Sequence, residues 1–138
     1  MTRATISLRI DLPNGSRVGP GKIALLEAVR AKQSISAAAR DLSMSYRRAW
    51  LLIDDLNRAF AEPVVATFPG RSQGPGAMLT PFGERLIELF HAIEKVTAEA
   101  GSSPIREIVS ASNKRYAPGA LTRARPKADG EDGGDPPA

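Results

Sequence analysis

The sequence contains no cysteine, a single histidine and few aromatic residues. Without cysteine, the chain has no disulfide bond, no thiolate metal site and no cysteine nucleophile. A lone histidine, His91, argues against a histidine-based metal site and against a Ser-His-Asp triad. These shortages argue against an enzyme, and we expect no cofactor and no bound metal.

Long apolar runs are also missing. No segment reaches the length of a membrane span, and the start of the chain has no apolar stretch of signal-peptide length. We therefore expect a cytoplasmic protein without a membrane partner. The 138 residues provide one compact domain and a tail.

Hydrophobic periodicity indicates short strands and helices in the first hundred residues. Residues 5–12 (TISLRIDL) alternate apolar and polar side chains, which predicts a half-buried strand. A Gly-Pro-Gly segment then opens an apolar helix over about 22–31. Thr80 as cap and Pro81 as first residue predict a last helix to about residue 100.

Between these elements, the pattern predicts two helices joined by a tight turn. Ser36 is the predicted cap of a short, alanine-rich helix, and Ser45 caps a longer helix that ends near residue 60. Small side chains let two helices cross closely, which a helix-turn-helix requires. One apolar stripe of the longer helix faces the core: Ala49, Ile53, Leu56 and Phe60.

The polar start of the longer helix is the candidate recognition surface. Arginine can bond a guanine edge with two hydrogen bonds, and serine and tyrosine can donate to phosphate. We predict a recognition helix over about 45–60 in the major groove of double-stranded DNA. The predicted DNA contacts are Ser36, Ser45, Tyr46, Arg47, Arg48 and Arg71.

The segment after this helix predicts a β-hairpin. Residues 64–67 (VVAT) and 77–79 (AML) are the predicted strands, and the segment between them (GRSQGPG) is predicted to be a flexible loop. A hairpin that follows the recognition helix forms a wing, here over about 68–77. The predicted fold is mainly α with a small β part: a winged helix-turn-helix whose Arg71 contacts the flanking DNA backbone.

Several segments together resemble the N-terminal domain of the molybdate-responsive ModE-type regulators, which is similar to the helix-turn-helix of LysR-type regulators. The central run is SISAAARDLSMSYRRAWLLIDDLN, preceded by GPGKIALLEAV and followed by EPVV, GRSQGPGA and LTPFGERLIELF. The likeness covers about residues 8–96. It implies a transcription regulator that binds DNA as a homodimer.

The last helix is the expected dimerisation element. Its apolar positions extend over about two heptads, more than a helix that covers only its own domain needs. The resemblance implies that it pairs with its copy, although all its apolar residues could instead pack within one domain. The predicted interface residues are Leu86, Leu89, Phe90 and Ile93.

The C-terminal part departs from this family. The full-length regulators continue into small β-barrel domains that bind molybdate, whereas no strand-rich sequence follows here. We expect a DNA-binding domain over 1–100 and a Pro/Gly-rich tail over 101–138, mostly disordered from about Ala117. The segment SPIREIVSA could form a short helix in it. We expect this chain not to bind molybdate.

Charge alone leaves the function open. The formal net charge is +4, which permits nucleic-acid binding without identifying it. Pairs of exposed arginines often belong to an ordinary solvated protein surface and bind nothing. The alternative is a winged-helix protein-interaction module that does not bind DNA. Such a module is expected to lack basic residues where this chain has Arg47 and Arg48.

Overall fold

The computed structural model describes residues 4–71 and 74–119, and these residues form five helices and two antiparallel hairpins. The chain order is β1 (Ile10–Asp11), β2 (Arg17–Val18), α1 (Pro20–Lys32), α2 (Ile35–Asp41), α3 (Tyr46–Ala59), β3 (Val65–Arg71), β4 (Gly74–Leu79), α4 (Pro81–Ala100) and α5 (Ser102–Ala111). The predicted mainly α winged helix-turn-helix with a small β part is confirmed.

The predicted strand over 5–12 is mostly wrong, because only Ile10 and Asp11 pair with β2. The alternation does set burial: the apolar residues of this segment are half-buried, while the polar residues between them are exposed. The pairing is short because β2 has two residues before Gly19 and Pro20 begin α1. The pattern therefore predicted which side chains face the domain better than it predicted backbone pairing.

The cap of α2 is Ser34 rather than the predicted Ser36. Helix α1 ends at Lys32, Gln33 adopts a left-handed conformation (φ 57°), and Ser34 is already extended. The Ser34 hydroxyl accepts a hydrogen bond from the Ala37 N–H (3.1 Å). Two serines with similar capping ability lie two residues apart, and the tight end of α1 selects the first. Ser36 lies in the first turn of α2, half-buried.

The hydrophobic core is centred on α1, which packs against α2, α3, β4 and α4. All buried side chains in the described part of the chain are apolar. Burial of one such large side chain contributes about 1.5–3 kcal/mol relative to an exposed position. The largest fully buried residues are Phe90, Leu25, Leu26, Leu56, Val29 and Val64.

Two of the four predicted dimer contacts are buried within the single chain. The exposed fraction of Phe90 is 1% and that of Leu86 is 9% in the single chain. Both side chains therefore pack in the core of their own domain and are not available to a second copy. The neighbouring positions Leu89 and Ile93 remain exposed, at 41% and 42%.

Helix α4 begins as predicted. Thr80 caps it by accepting from the Gly83 N–H (3.0 Å), and Pro81 occupies the first turn. Helix α5 confirms the short helix predicted in SPIREIVSA, and none of its residues is buried. The predicted disordered tail falls mostly on residues 120–138, outside the described residues.

Polar contacts also join α1 to α4. Arg30 pairs with Glu84 (3.0 Å). The imidazole of His91 lies between two carboxylates, with Nε2 at 2.8 Å from Glu27 of α1 and Nδ1 at 2.7 Å from Glu94 of α4. A neutral imidazole carries one N–H, so only the protonated ring can donate to both. The hydrogen bond to Glu27, followed by that to Glu94, raises the pKa of His91 above its usual 6.5.

We expect the contribution of His91 to stability to depend on pH. Since the folded state raises its pKa, the contribution is fully present below pH 6.5 and is lost as pH rises through the raised value. Urea unfolding of the wild type and of His91→Gln, from about pH 5.5 to about pH 9, measures the difference in the free energy of unfolding. That difference should shrink as pH rises. A difference that is constant or grows with pH would contradict the assignment.

Candidate nucleic-acid interface

The turn between α2 and α3 is fixed by backbone hydrogen bonds. The Leu42 N–H donates to Ala38 O (3.1 Å) and the Met44 N–H donates to Ala39 O (2.9 Å). Between them, Ser43 adopts a left-handed conformation (φ 56°), which is uncommon for a residue with a side chain. This single residue reverses the chain and sets the angle at which α3 leaves α2.

Buried alanines lie on both of these contacting helices. Ala38 and Ala39 of α2 and Ala49 of α3 are buried, while Ala37 is half-buried. Such small side chains suit the close helix crossing that a helix-turn-helix requires. Ile53 and Leu56 continue the buried stripe of α3 into the core. The opposite side of the first turn of α3 therefore faces solvent.

The first turn of α3 brings together four of the predicted DNA contacts. Ser45 caps the helix, and its hydroxyl accepts from the Arg48 backbone N–H (3.1 Å). Tyr46 is 48% exposed, Arg47 is exposed and Arg48 is half-buried. No acidic residue lies in this turn. The positive end of the helix dipole and two arginines make it an attractive site for a phosphate or another anion.

The carboxylates of α3 lie in its C-terminal half, and each forms an ion pair. Asp54 pairs with Arg58 (2.9 Å), four residues later in the same helix. Asp55 pairs with Lys22 of α1 (2.8 Å), whose ammonium also donates to Arg17 O (2.7 Å). These pairs neutralise the acidic charge of α3 away from its first turn, although exposed pairs contribute little stability.

The hairpin that forms the wing is longer than predicted. Strands β3 and β4 pair from Val65–Leu79 to Arg71–Gly74, with an irregularity between Phe68 and Arg71. The segment GRSQGPG, predicted as a flexible loop, is therefore partly strand, and Arg71 is the last residue of β3. Ser72 and Gln73 lie outside the described residues.

The base of the wing is held by contacts that sequence reasoning missed. The Asn57 side chain of α3 accepts from the Val64 N–H (2.7 Å) and the Val65 N–H (3.1 Å), and donates to Val65 O (3.1 Å). On the other strand, the Ala77 N–H donates to Gln33 O (3.0 Å) at the end of α1. Asparagine is a weak helix former, so its position inside α3 was the one feature of the sequence that pointed to these contacts.

The start of α4 closes the same region. The Thr80 hydroxyl donates to Pro63 O (2.7 Å), and its N–H donates to Val64 O (3.0 Å). Gly83 passes so close that a Cβ atom there would lie 2.3 Å from Val64 O. The wing base is thus held between α3, α1 and α4.

The exposed side of α4 carries an apolar stripe. Leu89, Ile93 and Val96 recur at helical spacing, with exposed fractions of 41%, 42% and 63%. In α5, Ile108 and Val109 are also exposed. These five residues are called the apolar stripe below.

Other kinds of site are not found in the part of the chain that the structure describes. Among residues 4–71 and 74–119, no group of three or more His, Asp or Glu side chains is arranged to hold a metal ion. Within the same ranges, no helix combines the length and the apolar character that a membrane crossing requires.

Comparisons with known proteins find relatives of part of this chain. No protein-family model matches the chain. The molybdenum-pterin-binding protein MopB of Rhodobacter capsulatus is 46% identical over 89 residues, which are 64% of this chain and 33% of MopB. The DNA-binding transcriptional dual regulator ModE of Escherichia coli (strain K12) is 33% identical over 98 residues, 71% of this chain and 37% of ModE.

Among solved structures, the CbnR DNA-binding domain in complex with DNA matches with a TM-score of 0.47 at 23% identity, over 67% of this chain and 97% of that one. The chain spans about a third of the length of the curated relatives it matches. Over 64 to 72% of its length, the chain is similar in sequence to the ModE and Mop molybdenum-related regulators, as its sequence motifs predicted.

Proposed function

We propose that this chain is a sequence-specific DNA-binding transcription regulator. The observation that carries the proposal is the first turn of α3, which is exposed, basic and without an acidic residue of its own. The relatives add support, since E. coli ModE is a DNA-binding transcriptional dual regulator. We expect it to act in the cytoplasm and not as an enzyme.

In this proposal α3 enters the major groove. The groove is about 12 Å wide, enough for an α-helix, so Tyr46, Arg47 and Arg48 would reach base edges and phosphates. Ser36, in the first turn of α2, and Ser45, at the cap, would contact the flanking phosphates. Arg71 at the end of β3 would meet the backbone beside the site. We propose residues 1–100 as the DNA-binding unit.

We further propose that the regulator is a homodimer. The α4 part of the apolar stripe supports this, because Leu89, Ile93 and Val96 are exposed at helical spacing, and exposed apolar surface of this kind is typical of a contact with another protein surface. Pairing of α4 with its copy would bury Leu89 and Ile93 and hold two recognition helices at a fixed separation. Leu86 and Phe90 would support this surface from the core side.

DNA binding should depend strongly on salt. Each phosphate that the protein neutralises releases counterions, so contact with about six phosphates lowers affinity by about 10³ between about 50 and about 200 mM salt. Titration of labelled duplexes, chosen by selection from random sequences, measures this slope. A protein-interaction module would show no binding at low salt to any selected sequence, and that result would remove the proposal.

The two arginines of α3 should carry sequence discrimination. Arg47→Ala or Arg48→Ala should each cost about 1–3 kcal/mol at the selected site, with weaker discrimination at one base pair, if the residue reads a base. The capping bond to Ser45 uses the Arg48 backbone N–H and survives the change. Arg85→Ala, on α4 and paired with Glu88, is the matched control. If both α3 variants bind as the control does, the contact surface lies elsewhere.

The dimer should depend on the exposed residues of α4. Leu89→Asp with Ile93→Asp places like charges across the proposed contact, so monomers should appear in light scattering while the fold, measured by circular dichroism, is kept. Ala98→Asp is the control. Ala98 follows Leu89 by nine residues, about two and a half helical turns, and therefore lies on the opposite side of the helix. Affinity for an inverted repeat with half-sites one helical turn apart should fall, whereas half-site affinity should not. A wild-type monomer that prefers one asymmetric site would contradict the dimer.

A further inference from the structure

Asn57 joins the recognition helix directly to the wing. It lies near the C-terminal end of α3, and its amide makes three hydrogen bonds, all to the backbone of Val64 and Val65 where β3 begins. The oxygen accepts twice and the nitrogen donates once, so one side chain meets both backbone donors and one acceptor of this turn. A bifurcated acceptor together with a donor fixes the direction of the strand as well as its position.

Because the hairpin is long, a small rotation of β3 at its base produces a large displacement at its end. Arg71 lies six residues beyond Val65, a distance of about 20 Å along a strand. A rotation of about 5° at the base would therefore move the end of β3 by about 1.7 Å, which is enough to break a hydrogen bond. The direction set at the base of β3 decides where the end of the wing lies.

We infer that Asn57 is a positioning residue for DNA recognition, setting the direction of the wing relative to α3 so that both contact one DNA site together. The inference rests on the proposed function. In this proposal Asn57 acts through the wing backbone, to which its amide makes three hydrogen bonds, and not through a DNA contact of its own. The bond between Ala77 and Gln33 still holds β4 when Asn57 is replaced, so the hairpin should persist with a changed direction.

The test compares Asn57→Ala with Asn14→Ala in the full chain. Asn14 is a matched control because its amide also bonds to backbone at the end of α3, donating to Ala59 O (2.9 Å), and has no bond to the wing. The free energy of unfolding is measured for both variants. DNA affinity is then measured at several salt concentrations under conditions where each variant is folded.

Asn57→Ala should weaken DNA binding by about tenfold, the order expected when a charge-assisted contact is lost. Its salt slope should become shallower by about 0.9 for each phosphate contact that the wing no longer makes. Asn14→Ala should leave affinity and slope unchanged. A loss of stability alone would not alter the slope of the folded protein.

A double-mutant cycle with Arg71→Ala separates this inference from the proposed function. If Asn57 acts by placing the wing, then Asn57→Ala should cost less than about twofold in the Arg71→Ala background. Equal losses in both backgrounds, or an unchanged affinity and slope in Asn57→Ala, would overturn the inference. Absence of DNA binding by the wild type would instead overturn the proposed function.

If Asn57→Ala does not fold, Asn57→Asp replaces it in every measurement. The carboxylate retains the acceptor for Val64 and Val65 but has no N–H for Val65 O. The second carboxylate oxygen then lies opposite Val65 O, acceptor against acceptor, so we expect a loss of affinity of about tenfold here too, with the salt slope again shallower. An Asn57→Asp protein with the wild-type slope and affinity would overturn the inference as well.

Discussion

The contact between α2 and α3 is the constraint on which the rest of this domain depends. Three buried alanines lie on these helices, where small side chains suit a close crossing, and Ser43 in the turn between them is left-handed. A larger side chain at this crossing would push α3 outward, and its buried stripe would then lose contact with α1. The exposed first turn of α3 is the other side of this contact, so packing and the proposed recognition share one geometric cause.

Local signals in the sequence predicted most of the helical part. The cap at Ser45, the Thr80-Pro81 start of α4 and the spacing of the stripe in α3 act over one helical turn, and such signals can be read without knowledge of the fold. The prediction was less accurate where the sequence offered two equally suitable residues for the same role. Ser34 and Ser36 are equally good caps, and the end of α1, rather than either serine, decides between them.

The errors and omissions concern contacts between distant parts of the chain. Phe90 and Leu89 are adjacent apolar residues, and only the packing of α1 against α4 determines that the first is buried and the second exposed. Asn57 bonds to a strand that begins eight residues later, and the donors it meets are backbone groups with no signature in the sequence. Apolar periodicity identifies a face of a helix but not what covers it.

The wing is attached to the domain through its backbone, and this has a consequence for variation among related proteins. Main-chain atoms of the hairpin base form hydrogen bonds with Asn57, Gln33 and Thr80. Every residue type has a main-chain carbonyl acceptor, and every type except proline has a main-chain N–H donor. Side chains further out along β3 and β4 can therefore change while the hairpin stays in place. The surface chemistry of the outer wing is therefore separable from the attachment of the wing to the domain.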